Sequence, residues 1–151
     1  MRANSLKPDE GSQQSGFDMS ESGNQKLLRA MMTVELWVYR ENILNTLELI
    51  ADGPGQREYQ RQVPFVSVPA ELFNQWDDFY YPDDDHFREA FSDLKLIVLS
   101  TFDRVFNDVA DATAQELALL DEFMKMEACK TLSFAAREAL SRIEKVGDIQ
   151  A

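Results

Sequence analysis

Apolar residues recur at helical spacing over most of this chain, and the longest run comes first. Leu28, Met32, Leu36, Tyr39, Ile43, Leu47 and Ile50 follow at intervals of 4, 4, 3, 4, 4 and 3, one continuous stripe on a helix. The spacing predicts a helix over residues 25–51. Asp52-Gly53-Pro54-Gly55 would stop it, with glycine in a left-handed cap and proline unable to continue the ladder. Residues 33–39 also read as a strand, because Val34, Trp37, Val38 and Tyr39 favour β structure; the unbroken stripe favours helix. Residues 53–68 then read as an extended or looped connection. Its Val63, Phe65, Val66 and Val68 would pin it across the helices, either covering the core or joining a binding face.

Pro69 suits the first position of a second helix, with Glu71 in the favoured acidic first turn and Pro82 ending it after Tyr81. Asp83, Asp84 and Asp85 open a turn or short helix over residues 86–91. Ser92 reads as the N-cap of a third helix over residues 93–110. Its buried face is expected to be Leu94, Ile97, Val98, Thr101, Phe102, Val105, Phe106 and Val109. Thr113 with Glu116 forms a capping-box pattern ahead of a fourth helix over residues 114–123. A last helix over residues 126–146 has the inner stripe Cys129, Leu132, Ala136, Ala139 or Leu140, Ile143 and Val146, and Gly147 ends it. The pattern is all-α: a single compact domain of four to five helices over residues 25–147, with a tail at 148–151. Residues 1–24, rich in Ser and Gly, hold too little apolar surface to offset chain entropy and read as a disordered tail. Met31 and Met32 are alternative starts to Met1.

Composition narrows the function classes. The 151 residues are 44% hydrophobic and 28% charged, ordinary for a one-domain globular protein. A single cysteine, Cys129, excludes an intramolecular disulfide and a cysteine-rich zinc site. No signal-peptide core or membrane-length apolar run stands out, so a soluble, cytoplasmic protein is expected.

Charge is what sets this chain apart. Of the net −12, residues 63–122 carry −11, from 14 Asp and Glu against 3 Lys and Arg. Such a field repels nucleic-acid phosphates and anionic lipid, so neither is an expected partner. Interleaved with it are Trp76, Phe79, Tyr80, Tyr81 and Phe87. On a helix from Pro69, the residues Leu72, Phe73, Trp76, Phe79 and Tyr80 share an inner face, while Asp77, Asp78 and Tyr81 point away. Aspartates at the end of that helix oppose its dipole, and Asp83 to Asp85 repel one another, so local stability should improve without them. Two readings follow: an acidic surface for a basic partner, or a solvated face that confers solubility. On the first, the partner-binding residues are Asp77, Asp78, Tyr81, Asp83, Asp84, Asp85, His86, Asp103, Asp108 and Asp111.

Chemistry is sparse. The chain has one His and one Cys, with Cys129 on an inner stripe and His86 at a helix start. Nucleotide-loop, nucleophile-elbow and zinc-protease motifs are all missing. The aspartate run lacks the spacing and glycine of a calcium loop. No catalytic residue, metal or cofactor is expected. The leading expectation is a non-enzymatic acidic protein that masks a basic protein partner, such as a toxin or nuclease domain. Bacterial immunity proteins are similar in size, charge and lack of active-site residues, a likeness of composition only. The alternatives are a chaperone for a secreted effector and a self-associating assembly protein. In the latter, a homodimer would form as the first helix docks on its own copy, with Val34, Trp37 and Leu44 widening the stripe.

Overall fold

A computed structural model describes residues 22–113 and 117–146. The chain divides into two units, Met1–Glu35 and Leu36–Ala151. The described residues form seven α-helices and no strand. In chain order they are α1 (Gly23–Ala51), α2 (Gly53–Gln62), α3 (Val68–Phe79), α4 (Asp85–Glu89), α5 (Asp93–Ala112), α6 (Leu120–Lys125) and α7 (Glu127–Val146). The all-α expectation holds, with more helices than the four to five expected. Residues 33–39 are helical, and the expected tail lies outside the described residues up to residue 21.

In the first unit, Ser22 starts α1. Its hydroxyl accepts from the Gln25 backbone N–H at 3.1 Å, and the Gln25 side chain accepts from the Ser22 N–H at 3.3 Å. These reciprocal bonds satisfy two otherwise orphaned donors. The stripe residues Leu28 and Met32 are exposed.

The second unit holds the core. Ile43, Leu47 and Ile50 of α1 are buried with Val68, Leu72 and Trp76 of α3, Phe87 of α4, and Leu99, Phe102 and Phe106 of α5. Phe123 of α6 and Leu132, Ala136 and Ala139 of α7 complete it. The two alanines let α5 and α7 pack closely, because they present little side chain between the axes.

Segment 53–62 corrects the expected connection: it is a helix. The Asp52 carboxylate accepts from the Gly55 N–H at 3.0 Å, and Pro54 sits in the first turn, where its missing N–H costs nothing. A Cβ on Gly55 would lie 2.5 Å from Asp52 Oδ2, so the cap requires glycine there. The end of α1 is held by long-range partners instead of a left-handed glycine. Gln56 Nε2 donates to the carbonyls of Leu49 (2.9 Å) and Ile50 (3.1 Å), Ser133 Oγ donates to Ile50 (2.9 Å), and Arg137 donates to Ala51 (3.3 Å). The Ile50 and Ala51 carbonyls thus gain partners from outside α1, and the Leu49 carbonyl also accepts from the Asp52 N–H at 3.3 Å.

The short connection 63–67 is pinned by Gln60. Its amide donates to the carbonyls of Val63 and Val66 and accepts from the Val68 N–H. The expected apolar pin, Phe65, is 87% exposed.

Ser67 and Ser92 cap α3 and α5 through the N–H groups of Ala70 (3.3 Å) and Lys95 (3.2 Å). The buried face of α5 is rotated from expectation by roughly 70° at 100° per residue. Leu99 is buried, whereas Leu94, Ile97 and Thr101 are exposed. The Thr113 hydroxyl donates back to the Val109 carbonyl at 2.6 Å, residues 114–116 of the expected fourth helix lie outside the described residues, and among the described residues the next helix begins at Leu120. Glu116 and Gly147 lie outside the described residues.

Candidate acidic interaction surface

Trp76 and Tyr80 organise this surface. Four residues apart, they follow one another along the last turn of α3 and its C-cap, and their rings stack at 4.7 Å. Phe102 packs edge-on to Trp76 at 4.6 Å, and Phe87 packs against Tyr80 at 5.7 Å. The buried indole N–H requires an acceptor, and α5 provides one: Trp76 Nε1 donates to Asp103 Oδ1 at 2.9 Å. The second Asp103 oxygen accepts from Asn107 Nδ2 at 3.1 Å. Asp103 is therefore a structural acceptor that also places a negative charge against the end of α3.

That charge has neighbours. Burial raises the Asp77 carboxyl above its ordinary 3.8, and Asp103 and Asp78 push it the same way. Burial pushes the Tyr80 phenol up to about 12, with Asp103 and Asp83 adding to the effect. Asp77 and Asp78 from α3, Asp83 from the following turn and Asp103 from α5 thus converge around one aromatic pair.

The remaining expected site residues have separate places. Asp84 is the N-cap of α4 and accepts from the Phe87 N–H at 3.0 Å. Asp85, in the first turn of α4, pairs with Arg88, which also donates to the Pro82 carbonyl at 2.8 Å. At this helix start the two carboxylates meet a favourable dipole, so they support the fold locally, contrary to the repulsion expected of the run. Tyr81 is exposed, its ring 6.5 Å from Phe87. His86 is exposed on α4. Asp108 and Asp111 are exposed further along α5, about 7.5 and 12 Å beyond Asp103 at 1.5 Å per residue.

A feature with no sequence signal adjoins Asp77. Its side chain lines a surface cavity of about 290 Å³ together with Ala70, Phe73, Asn74, Phe106, Ala110, Thr113 and Leu117. The wall is mixed: five apolar side chains, with Asn74, Thr113 and the Asp77 carboxylate among them. A larger cavity of about 640 Å³ lies at α2 and α6, where Arg57 is paired with Asp121 at 2.7 Å.

Cys129 is buried, its thiol pushed up by that burial and its Sγ 4.0 Å from Ser133 Oγ. Among the described residues, no group of three or more His, Cys, Asp or Glu gathers so as to hold a metal ion. No helix among them is long and apolar enough to cross a membrane. No protein-family model, curated protein or solved structure matches this chain.

Proposed function

We propose that this chain is a non-enzymatic binding protein whose acidic face masks a basic surface on another protein. The observation that carries the reading is Asp77: a carboxylate on the wall of a surface cavity that also presents Ala70, Phe73, Phe106, Ala110 and Leu117, its proton affinity raised by partial burial and then by Asp103 and Asp78. A lysine or arginine has the matching make-up, an aliphatic stem for the apolar side chains and a cationic end for the carboxylates. Docking such a side chain would relieve the repulsion stored among the aspartates. The surrounding −11 of residues 63–122 would steer a basic protein toward the site and raise its association rate. Small acidic inhibitors of toxins and nucleases work by this kind of masking, and that is the class of activity proposed. Exposed Tyr81 adds contact area with few rotors to freeze.

Titration of the full chain with an oligo-arginine peptide, followed calorimetrically at two salt concentrations, tests the reading. Asp77→Asn should weaken binding by about tenfold, roughly 1.4 kcal/mol, and Asp108→Asn by less than about threefold. Equal losses in the two variants would reduce the acidic face to a diffuse field without a site and refute the proposal.

A further inference from the structure

We propose that the exposed apolar surface of residues 23–35 is a self-association surface that packs antiparallel against the same segment of a second copy of this chain. Leu27 (60%), Leu28 (59%), Met31 (57%), Met32 (45%) and Val34 (60%) are all exposed. Exposed apolar patches of more than a few hundred Å² are uncommon on monomers and mark interaction sites. At roughly 100 Å² for each of these side chains, the patch offers about 500 Å² per copy, hence about 1,000 Å² across a pair. Complete burial of all five side chains would just reach the roughly 1,000 Å² that marks the lower limit for a specific interface.

Helical geometry gives the patch its shape. Asn24, Leu28, Met31 and Glu35 follow at intervals of 4, 3 and 4, the seam spacing of paired helices, flanked by Leu27 and Val34 on one side and Met32 on the other. An isologous pair uses the same patch on both copies, so both sides match in length and chemistry.

Charge selects the direction. Parallel pairing would set Glu35 beside Glu35 of the second copy within an apolar seam. Antiparallel pairing sets each Glu35 near Asn24 of the other copy, at the positive end of that helix, with Lys26 on the outer face away from the seam. Segment 22–35 also carries Lys26 and Arg29 against Glu35, a balance of +1, while the whole chain is at −12. It is thus a stretch where two copies can approach without the repulsion of their acidic segments.

Sedimentation equilibrium of the full chain is the test, run to about 100 µM. The expected mass is twice the 17.3 kDa of one chain. Met31→Glu should weaken association by about 100-fold or more while leaving helical content unchanged, because Met31 is outside the core. Phe134→Glu, on an exposed apolar position of α7, should leave the dimer intact. A monomer across the whole range overturns the proposal, as does a dimer insensitive to Met31→Glu or one broken by Phe134→Glu. A monomer that binds phosphatidylcholine vesicles through Met31 would assign the surface to lipid and overturn it equally.

Discussion

Asp77→Asn should make the protein more stable at neutral pH, and this follows from where the side chain sits. Its carboxyl is raised above 3.8 first by burial and then by Asp103 and Asp78, so its charged form is disfavoured in the fold. A group whose folded pKa lies above its unfolded value stabilises the fold below the unfolded value. That contribution is lost as pH rises through the folded one. At neutral pH the wild-type chain has therefore lost it, and the neutral amide of Asn avoids the loss. The side chain is largely exposed, and solvent screening holds the gain below about 1 kcal/mol. In a domain of this size that corresponds to at most about 4 °C in Tm. The assay is urea denaturation of both chains at pH 7 and near pH 3. The variant should be ahead at pH 7 with an unchanged m-value, and the difference should vanish at the lower pH, where the wild-type carboxyl is also neutral. A variant equally or less stable at pH 7 would refute the convergence of charge on Asp77. Gained stability with lost peptide binding is the combination expected of a residue kept for function at a local cost.

Two further outcomes follow from the geometry. Gln56→Met keeps the buried volume but removes both bonds to the end of α1, leaving the Leu49 carbonyl without its Gln56 donor; a loss of about 2 kcal/mol by urea denaturation is expected, and a change within about 0.5 kcal/mol would show that the long-range cap is dispensable. Tyr80, whose phenol is pushed up to about 12, should cost stability as pH rises from about 10 toward that value, on the order of 1 kcal/mol after discounting its partial exposure. Alkaline unfolding followed by circular dichroism, compared with Tyr80→Phe, checks it, and identical pH profiles would count against the burial of that phenol.

What could be read from the sequence lies within one helical turn. Ser92 bonds to an N–H group three residues on, Pro69 sits in the first turn of α3, and the inner faces of α3 and α7 repeat at three and four residues. These interactions are complete once the local backbone is helical, so the all-α class and most helices follow from the order of residues alone. The phase of α5 did not follow, because Leu94 to Leu99 is apolar on nearly every side and only the neighbouring helices select Leu99 over Ile97. Nor did α2, whose Gly-Pro-Gly start reads as a breaker until the Asp52 carboxylate is seen occupying the space that a Cβ on Gly55 would fill. The candidate site was half legible. Composition located the acidic stretch, but Asp77, Asp83 and Asp103 come from three segments, and the Asp103–Trp76 bond spans 27 residues. The end of α1 depends on Ser133, 83 residues away. Contacts at such separations carry no periodic trace along the chain. They exist only because packing of the apolar faces brings those residues together, and that packing decided which carboxylates meet.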